Sequence, residues 1–164
     1  MSNPTARPPI THPATLAATW FGVGLLPKAP GTWGSLAALP IAWIIQSQFG
    51  PEGLSTAILL LFALGWWAAG RYERLAGQKD SSEIVIDEVV GQWLVLLFVP
   101  PDIILYALGF VLFRVADIFK PWPVNLADRA IEGGLGVMVD DVLAALYGMA
   151  GMAVAQYLMA LQGA

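Results

Sequence analysis

Five carboxylates and three cations stand out in a chain of 164 residues that is 57% hydrophobic and only 12% charged. The acids are the neighbouring pairs Asp87–Glu88 and Asp140–Asp141, together with Asp117; the cations are Lys28, Arg114 and Lys120. Each acid borders a long apolar run, where an ionised group costs about 2.5–3.5 kcal/mol on insertion scales and marks a functional site by default. Adjacent residues on a helix point about 100° apart, so neither acidic pair is used up as a single helix cap. The cluster needs compensating charge, and a divalent cation supplies it. The chain has no Cys and a single His, His12, in its N-terminal stretch, so zinc lacks its usual ligands. Carboxylate oxygens with water suit Mg²⁺, or Mn²⁺ in its place, and such sites commonly include a substrate phosphate. Lys28, Arg114 and Lys120 would balance that phosphate, which makes the constellation one for metal-assisted phosphoryl chemistry.

Exclusions narrow the chemistry. Without Cys there is no thiol phosphatase, and a lone tail His does not serve a histidine-dependent one. No D-x-D occurs, which argues against the haloacid-dehalogenase type of phosphoenzyme. Attack by a metal-bound water, or an aspartyl-phosphate of a less familiar kind, remains.

Three segments carry these residues. In "LLPKAPGTWGSL", Gly31, Thr32, Gly34 and Ser35 follow Lys28 and open an apolar run. Backbone N–H groups at a helix start can cradle a phosphate; equally, Thr32 or Ser35 can be a plain N-cap and the glycines turn formers. In "SSEIVIDEVVGQW", Asp87 and Glu88 lead into a second apolar run. In "FRVADIFKPWPVNLADRAIEGGLGVMVDD", Arg114, Asp117 and Lys120 recur at helical spacing and share one face, up to a stop at Pro121 and Pro123. Arg114 with Asp117 also reads as a structural ion pair, and Asp140 as a helix cap.

The elements that must position these groups are membrane helices. Mean hydropathy is +0.67, and the charges leave five uncharged windows, at 29–51, 53–70, 89–101, 103–113 and 142–164. A bilayer core of about 30 Å takes roughly 20 apolar residues. Three windows suffice alone, while the pair flanking Asp102 needs Ser82–Glu88 and Arg114–Phe119 wound into its helices to reach about 18 residues each. The expected fold is an all-α, polytopic membrane bundle of about five embedded helices with "FGPEG" and "VPPD" as tight outer turns. Lys28, Arg71, Arg74, Lys79, Arg114, Lys120 and Arg129 then share one side with all five acids, and the positive-inside rule makes that side cytoplasmic. Residues 1–13, rich in Pro, read as a flexible tail, and 14–164 as one domain. Pro13–Gly24 could add a short interfacial helix carrying Trp20 and Phe21.

Taken in order and spacing, "LLPKAPGTWGSLAALP", "IVIDEVVGQW", "FRVADIFKPWPV" and "DRAIEGGLGVMVDD" resemble the phosphatidylglycerophosphatase A family of bacterial inner-membrane enzymes over roughly residues 18–150. The resemblance implies Mg²⁺-dependent removal of the terminal phosphate of phosphatidylglycerophosphate, giving phosphatidylglycerol. The family's motif positions fall on Lys28, Pro30, Gly31, Thr32, Gly34 and Ser35, on Asp87, Glu88 and Gly91, and on Arg114, Asp117, Lys120, Pro121 and Pro123. The last motif places them on Asp128, Gly133, Gly134, Gly136, Asp140 and Asp141. The resemblance does not say which acid does what; our own assignment is that Asp87, Asp140 and Asp141, with Glu88 or Asp117 completing or supporting the shell, hold Mg²⁺. Lys28, Arg114 and Lys120 with the N–H groups of Gly31–Ser35 bind phosphate, and Asp117 orients or deprotonates water. Gly133, Gly134 and Gly136 would hinge the last segment over the headgroup. The expected partners are the lipid substrate and the bilayer, with no nucleic acid, and oligomeric state stays open. A small transporter, which expects polar groups nearer the membrane midplane, and a non-catalytic assembly protein are the competing readings.

Overall fold

The computed structural model of the chain describes residues 7–79 and 81–162, without the side chains of 127–129. Asp128 therefore lies outside the described side chains, and most of the expected tail outside the described residues. Every regular element among the described residues is helical and there is no strand. In order they are α1 (Pro13–Ala18), a 3-10 turn (Val23–Leu25), α2 (Pro30–Ala76), α3 (Ile86–Leu96), α4 (Ile103–Phe119), α5 (Val124–Ala130) and α6 (Gly133–Gln162). α2 and α6 are long and apolar enough to cross a membrane. Large apolar side chains, Leu59, Leu60, Ile103, Ile104 and Leu158 among them, stand exposed on outward faces, which soluble monomers seldom allow in quantity.

α2 consists of two limbs. At Gly50 the backbone turns to φ 65° and ψ −168°, and Pro51, with no N–H to donate, follows it. Along the first limb Gly34 meets Val85, Trp93 Nε1 donates to Ala38 O at 3.0 Å, and Gln46 Nε2 donates to Leu97 O at 3.1 Å. That limb therefore runs beside α3 in the same direction. Along the second limb Gly65 meets Met138 and Gly70 meets Gly134, so it returns against α6. Close approaches of Gly91 to Asp141 O and of Gly148 to Val95 set α3 and α6 parallel, whereas Gly91 against Phe113 and Gly109 against Leu96 reverse α4. Three rods point one way and two return. Gln46, a polar residue within the first apolar window, uses both ends of its amide: it also accepts from Tyr106 Oη at 2.8 Å and so ties α2, α3 and α4 together.

α3 departs most from expectation. It has 11 residues instead of about 18, because Val85 N–H donates to Ala18 O at 2.8 Å and holds the preceding residues in a loop. At 1.5 Å per residue it spans about 17 Å, well short of a bilayer core. Its buried positions, from Ile86 through Leu96, explain why: α3 is an internal post wrapped by the longer helices. α4, with 17 residues, comes close to its expected length. Asp102 starts it by accepting from the N–H groups of Ile104 and Leu105 at 2.9 and 3.0 Å. Lys120 ends it in a left-handed conformation at φ 43°, so Lys120 does not share the helical face of Arg114 and Asp117. α1 takes the place of the interfacial helix but stops at Ala18. Trp20 turns inward to pack edge-on against Trp93, and Phe21 stays exposed.

At the start of α6, Gly134 and Gly136 sit in close packing, while Gly133 takes a left-handed φ of 71° in open space. A Cβ on Gly134 would overlap Trp66 O and the backbone of Gly70, and one on Gly136 would overlap Ile131 O. Gly134→Ala is expected to lower the melting temperature of the detergent-purified protein, at a cost of about 1–3 kcal/mol for overpacking. Gly151→Ala, which meets only the flexible Leu112 side chain at 3.0 Å, should shift it less.

Candidate active site

The start of α2, the start of α3, the end of α4 and the third turn of α6 meet at one end of the bundle. Asp87 and Glu88 stand in the first turn of α3, where the helix dipole favours negative charge. Asp140 and Asp141 lie well inside α6, which begins at Gly133, so Asp140 is no helix cap. Their divergence around the helix assigns them different neighbours. Asp141 turns toward α3, where Asp87, Glu88 and Asp141 bring one carboxylate oxygen each within 4.8 Å of one another. Asp140 turns toward the end of α4, and its Oδ2 accepts from Lys120 Nζ at 2.7 Å.

Arg114 anchors the acids from α4. Its Nη1 lies 2.5 Å from Asp117 Oδ2, 3.8 Å from Glu88 Oε1 and 3.4 Å from Ser35 Oγ. The guanidinium is mostly buried, as are both partner carboxylates. Arg114 is thus a counter-charge within the protein, and it is not among the residues lining the cavity above the acids. That cavity, of about 170 Å³, has Asp87, Glu88, Asp117, Asp140, Asp141 and Lys120 in its wall.

The glycine-rich start of α2, the expected phosphate cradle, makes local bonds in the structure. Thr32 and Trp33 give their N–H groups to Ala29 O at 3.0 and 3.3 Å, and the Ser35 hydroxyl donates to Gly31 O at 3.0 Å. The cap is Ala29, with no side-chain hydrogen bond, so neither Thr32 nor Ser35 fills that role. Gly31 makes room: a Cβ there would overlap the Glu88 carboxylate and stand 3.3 Å from Arg114 Nη1. Gly34 likewise admits Val85. Lys28 is exposed and lines no part of the acidic cavity.

The residues present fit a hard divalent cation. Glu88 Oε2 and Asp141 Oδ2 are buried and have no hydrogen-bond partner among the described residues, a costly state for a carboxylate oxygen unless a cation completes it. The donor set is all oxygen, which matches Mg²⁺ or Mn²⁺ and not zinc. Sequence reasoning passed over Ser81 and Ser82, which line the same cavity, and Gln92, fully buried one turn beyond Glu88 with both amide atoms unpartnered. Their signal was faint: two hydroxyls just ahead of an acidic helix start, and one amide within an apolar run.

The family model described as Phosphatidylglycerophosphatase A matches residues 16–156. The chain belongs to the phosphatidylglycerophosphatase A family. It is 38% identical to phosphatidylglycerophosphatase A of Escherichia coli strain K12 over 140 residues, covering 85% of this chain and 81% of the relative. It is also 38% identical to the Haemophilus influenzae protein of that name over 159 residues, 96% of this chain and 98% of the relative. A Bacteroides thetaiotaomicron protein, provisionally assigned as a phosphatidylinositol-3-phosphatase, is 41% identical over 152 residues, 88% of this chain and 94% of its own length. No solved structure matches the chain.

If Arg114 is a counter-charge, its loss harms the resting protein. Arg114→Gln should destabilise the ligand-free, detergent-purified protein by about 3–5 kcal/mol, as expected for breaking a buried pair. Arg114→Lys should recover only part of this, because one ammonium cannot reproduce the guanidinium's spread of donors. Thermal melting without phosphate or metal checks both; an unchanged melting temperature would return Arg114 to the substrate-binding role.

Proposed function

We propose that the protein is a membrane-bound lipid phosphatase that hydrolyses phosphatidylglycerophosphate to phosphatidylglycerol and inorganic phosphate. Family membership across residues 16–156 supports the activity, and the observation that carries the chemistry is the convergence of Asp87, Glu88 and Asp141 within 4.8 Å. We read the limbs of α2 with α3, α4 and α6 as a multi-pass bundle, its acidic end facing the cytoplasm under the positive-inside rule. α3 is embedded among its neighbours and does not itself cross.

Asp87, Glu88 and Asp141 would hold Mg²⁺, which supplies Lewis-acid polarisation of the phosphoryl group and a more acidic bound water. The protein's own groups do the remaining work. Asp117, fixed by Arg114 and present in the cavity wall, accepts the proton of the attacking water or orients it. The P–O bond to the glycerol breaks as the water oxygen bonds to phosphorus, and the departing glycerol oxygen takes up a proton. Lys120, partly exposed at the cavity wall and held by Asp140, offsets the negative charge that gathers on the phosphoryl oxygens. Lys28, standing outside the cavity, fits a role in drawing an anionic headgroup toward this end of the bundle.

The test is phosphate release from phosphatidylglycerophosphate in mixed micelles by purified protein. Asp141→Asn and Glu88→Gln should each lower kcat by 100-fold or more and weaken Mn²⁺ binding measured by calorimetry. Chelation should abolish turnover of the wild type, with recovery on adding Mg²⁺. Wild-type rates and unchanged Mn²⁺ binding in both variants would end the metal-site reading. Turnover of phosphatidylinositol 3-phosphate with none of phosphatidylglycerophosphate would reassign the headgroup.

A further inference from the structure

The acidic cavity has a second chamber beside it. Ser81 and Ser82 belong to the walls of both the 170 Å³ acidic cavity and a neighbouring polar cavity of about 380 Å³, whose other lining includes Arg7, Tyr72, Gln78 and Glu83. Among the described residues lining the acidic cavity they are the only uncharged hydrogen-bonding side chains. A phosphomonoester whose phosphoryl group sits against the carboxylates must direct its leaving alcohol away from them. The serine wall offers uncharged hydrogen-bonding groups, and it adjoins space that could hold the alcohol.

The loop bearing the serines is fastened from several directions. Glu83 accepts a hydrogen bond from Tyr72 Oη, whose ring is fully buried in α2. It also accepts from Arg7 Nε at 2.8 Å and pairs with Arg7 Nη2 at 2.5 Å. Ile84 N–H donates to Ser81 O at 3.0 Å, and Val85 N–H reaches Ala18 O. Gly24 packs so tightly on the carbonyl of Glu83 that a Cβ there would overlap it. Fastening a loop this thoroughly suits a surface that must present two hydroxyls in fixed places.

We propose that Ser81 and Ser82 bind the hydroxyl-bearing glycerol unit of the headgroup, between the reacting phosphate and the rest of the lipid, and that Glu83, held by Tyr72 and Arg7, is the residue that positions them. This rests on the phosphomonoesterase reading above. The serine wall confers headgroup selectivity, while the carboxylates bind whatever phosphate is offered.

Two soluble probes separate the parts: inorganic phosphate, which reaches only the acidic cavity, and glycerol 3-phosphate, which extends to the serines. Binding of each to the full-length, Mn²⁺-loaded protein is read by thermal shift, and each is also measured as a competitive inhibitor of lipid turnover. Ser82→Ala should weaken glycerol 3-phosphate at least fivefold and inorganic phosphate less than twofold. Tyr72→Phe, which retains the ring and removes the hydroxyl tying Glu83, should give the same pattern, with KM for the lipid raised and kcat within twofold of wild type. Equal weakening of both probes, or unchanged affinity for glycerol 3-phosphate in both variants, overturns the proposal. Wild-type protein that binds both probes but releases no phosphate from lipid would refute the phosphatase reading and leave the subsite standing as a binding site alone.

Discussion

Mutual repulsion among carboxylates inside an apolar helical bundle is the constraint on which this structure turns. Asp87, Glu88 and Asp141 converge within 4.8 Å, with Asp117 and Asp140 in the same cavity wall. In a low dielectric such a group cannot stay ionised without opposite charge close by. Arg114 answers for Glu88 and Asp117, and Lys120 for Asp140. Two buried carboxylate oxygens, Glu88 Oε2 and Asp141 Oδ2, still lack a partner among the described residues. That remaining deficit is the physical reason to expect a cation, and it makes the site's stability and its chemistry aspects of one electrostatic problem.

Holding these groups together requires backbones to approach closely at the acidic end, and glycine is what allows it. Gly91 lets α3 meet both Phe113 of α4 and the Asp141 carbonyl of α6, while Gly134 brings α6 onto Gly70 of α2. α3 gains a central position by being short. Its length is limited by the loop of Ser81–Val85, which is stitched to α1 and to Tyr72. The same stitching that shortens the helix leaves two serines at the cavity wall.

Much of this was legible in the sequence. Charge spacing along an apolar chain indicated the helices, the turns at Gly50 and Asp102, and the gathering of the acids at one end, because each follows from local rules about burial and turn chemistry. The divergence of Asp140 from Asp141 followed from helical geometry alone. What stayed hidden depended on tertiary packing. Nothing local in "GGLGVMVDD" reveals that the helix starts at Gly133, since Gly134 is justified by Trp66 and Gly70 on another helix. Arg114 has the composition of a phosphate ligand and became a buried counter-ion because Glu88 and Ser35 arrive from two other elements. Lys28 shares a motif with Gly31, yet it stands exposed and lines no part of the acidic cavity.

Gly31 has a further consequence for how such a site can be read or damaged. The first limb of α2 contributes no acid to the cluster, but it leaves a vacant volume the size of a methyl group, and the Glu88 carboxylate fills it. A survey that removes charged side chains one at a time would pass over this position entirely. An inherited change to even the smallest chiral residue there would shift Glu88 against Arg114 without altering the net charge. A residue with no functional group thus helps set where the acid cluster stands.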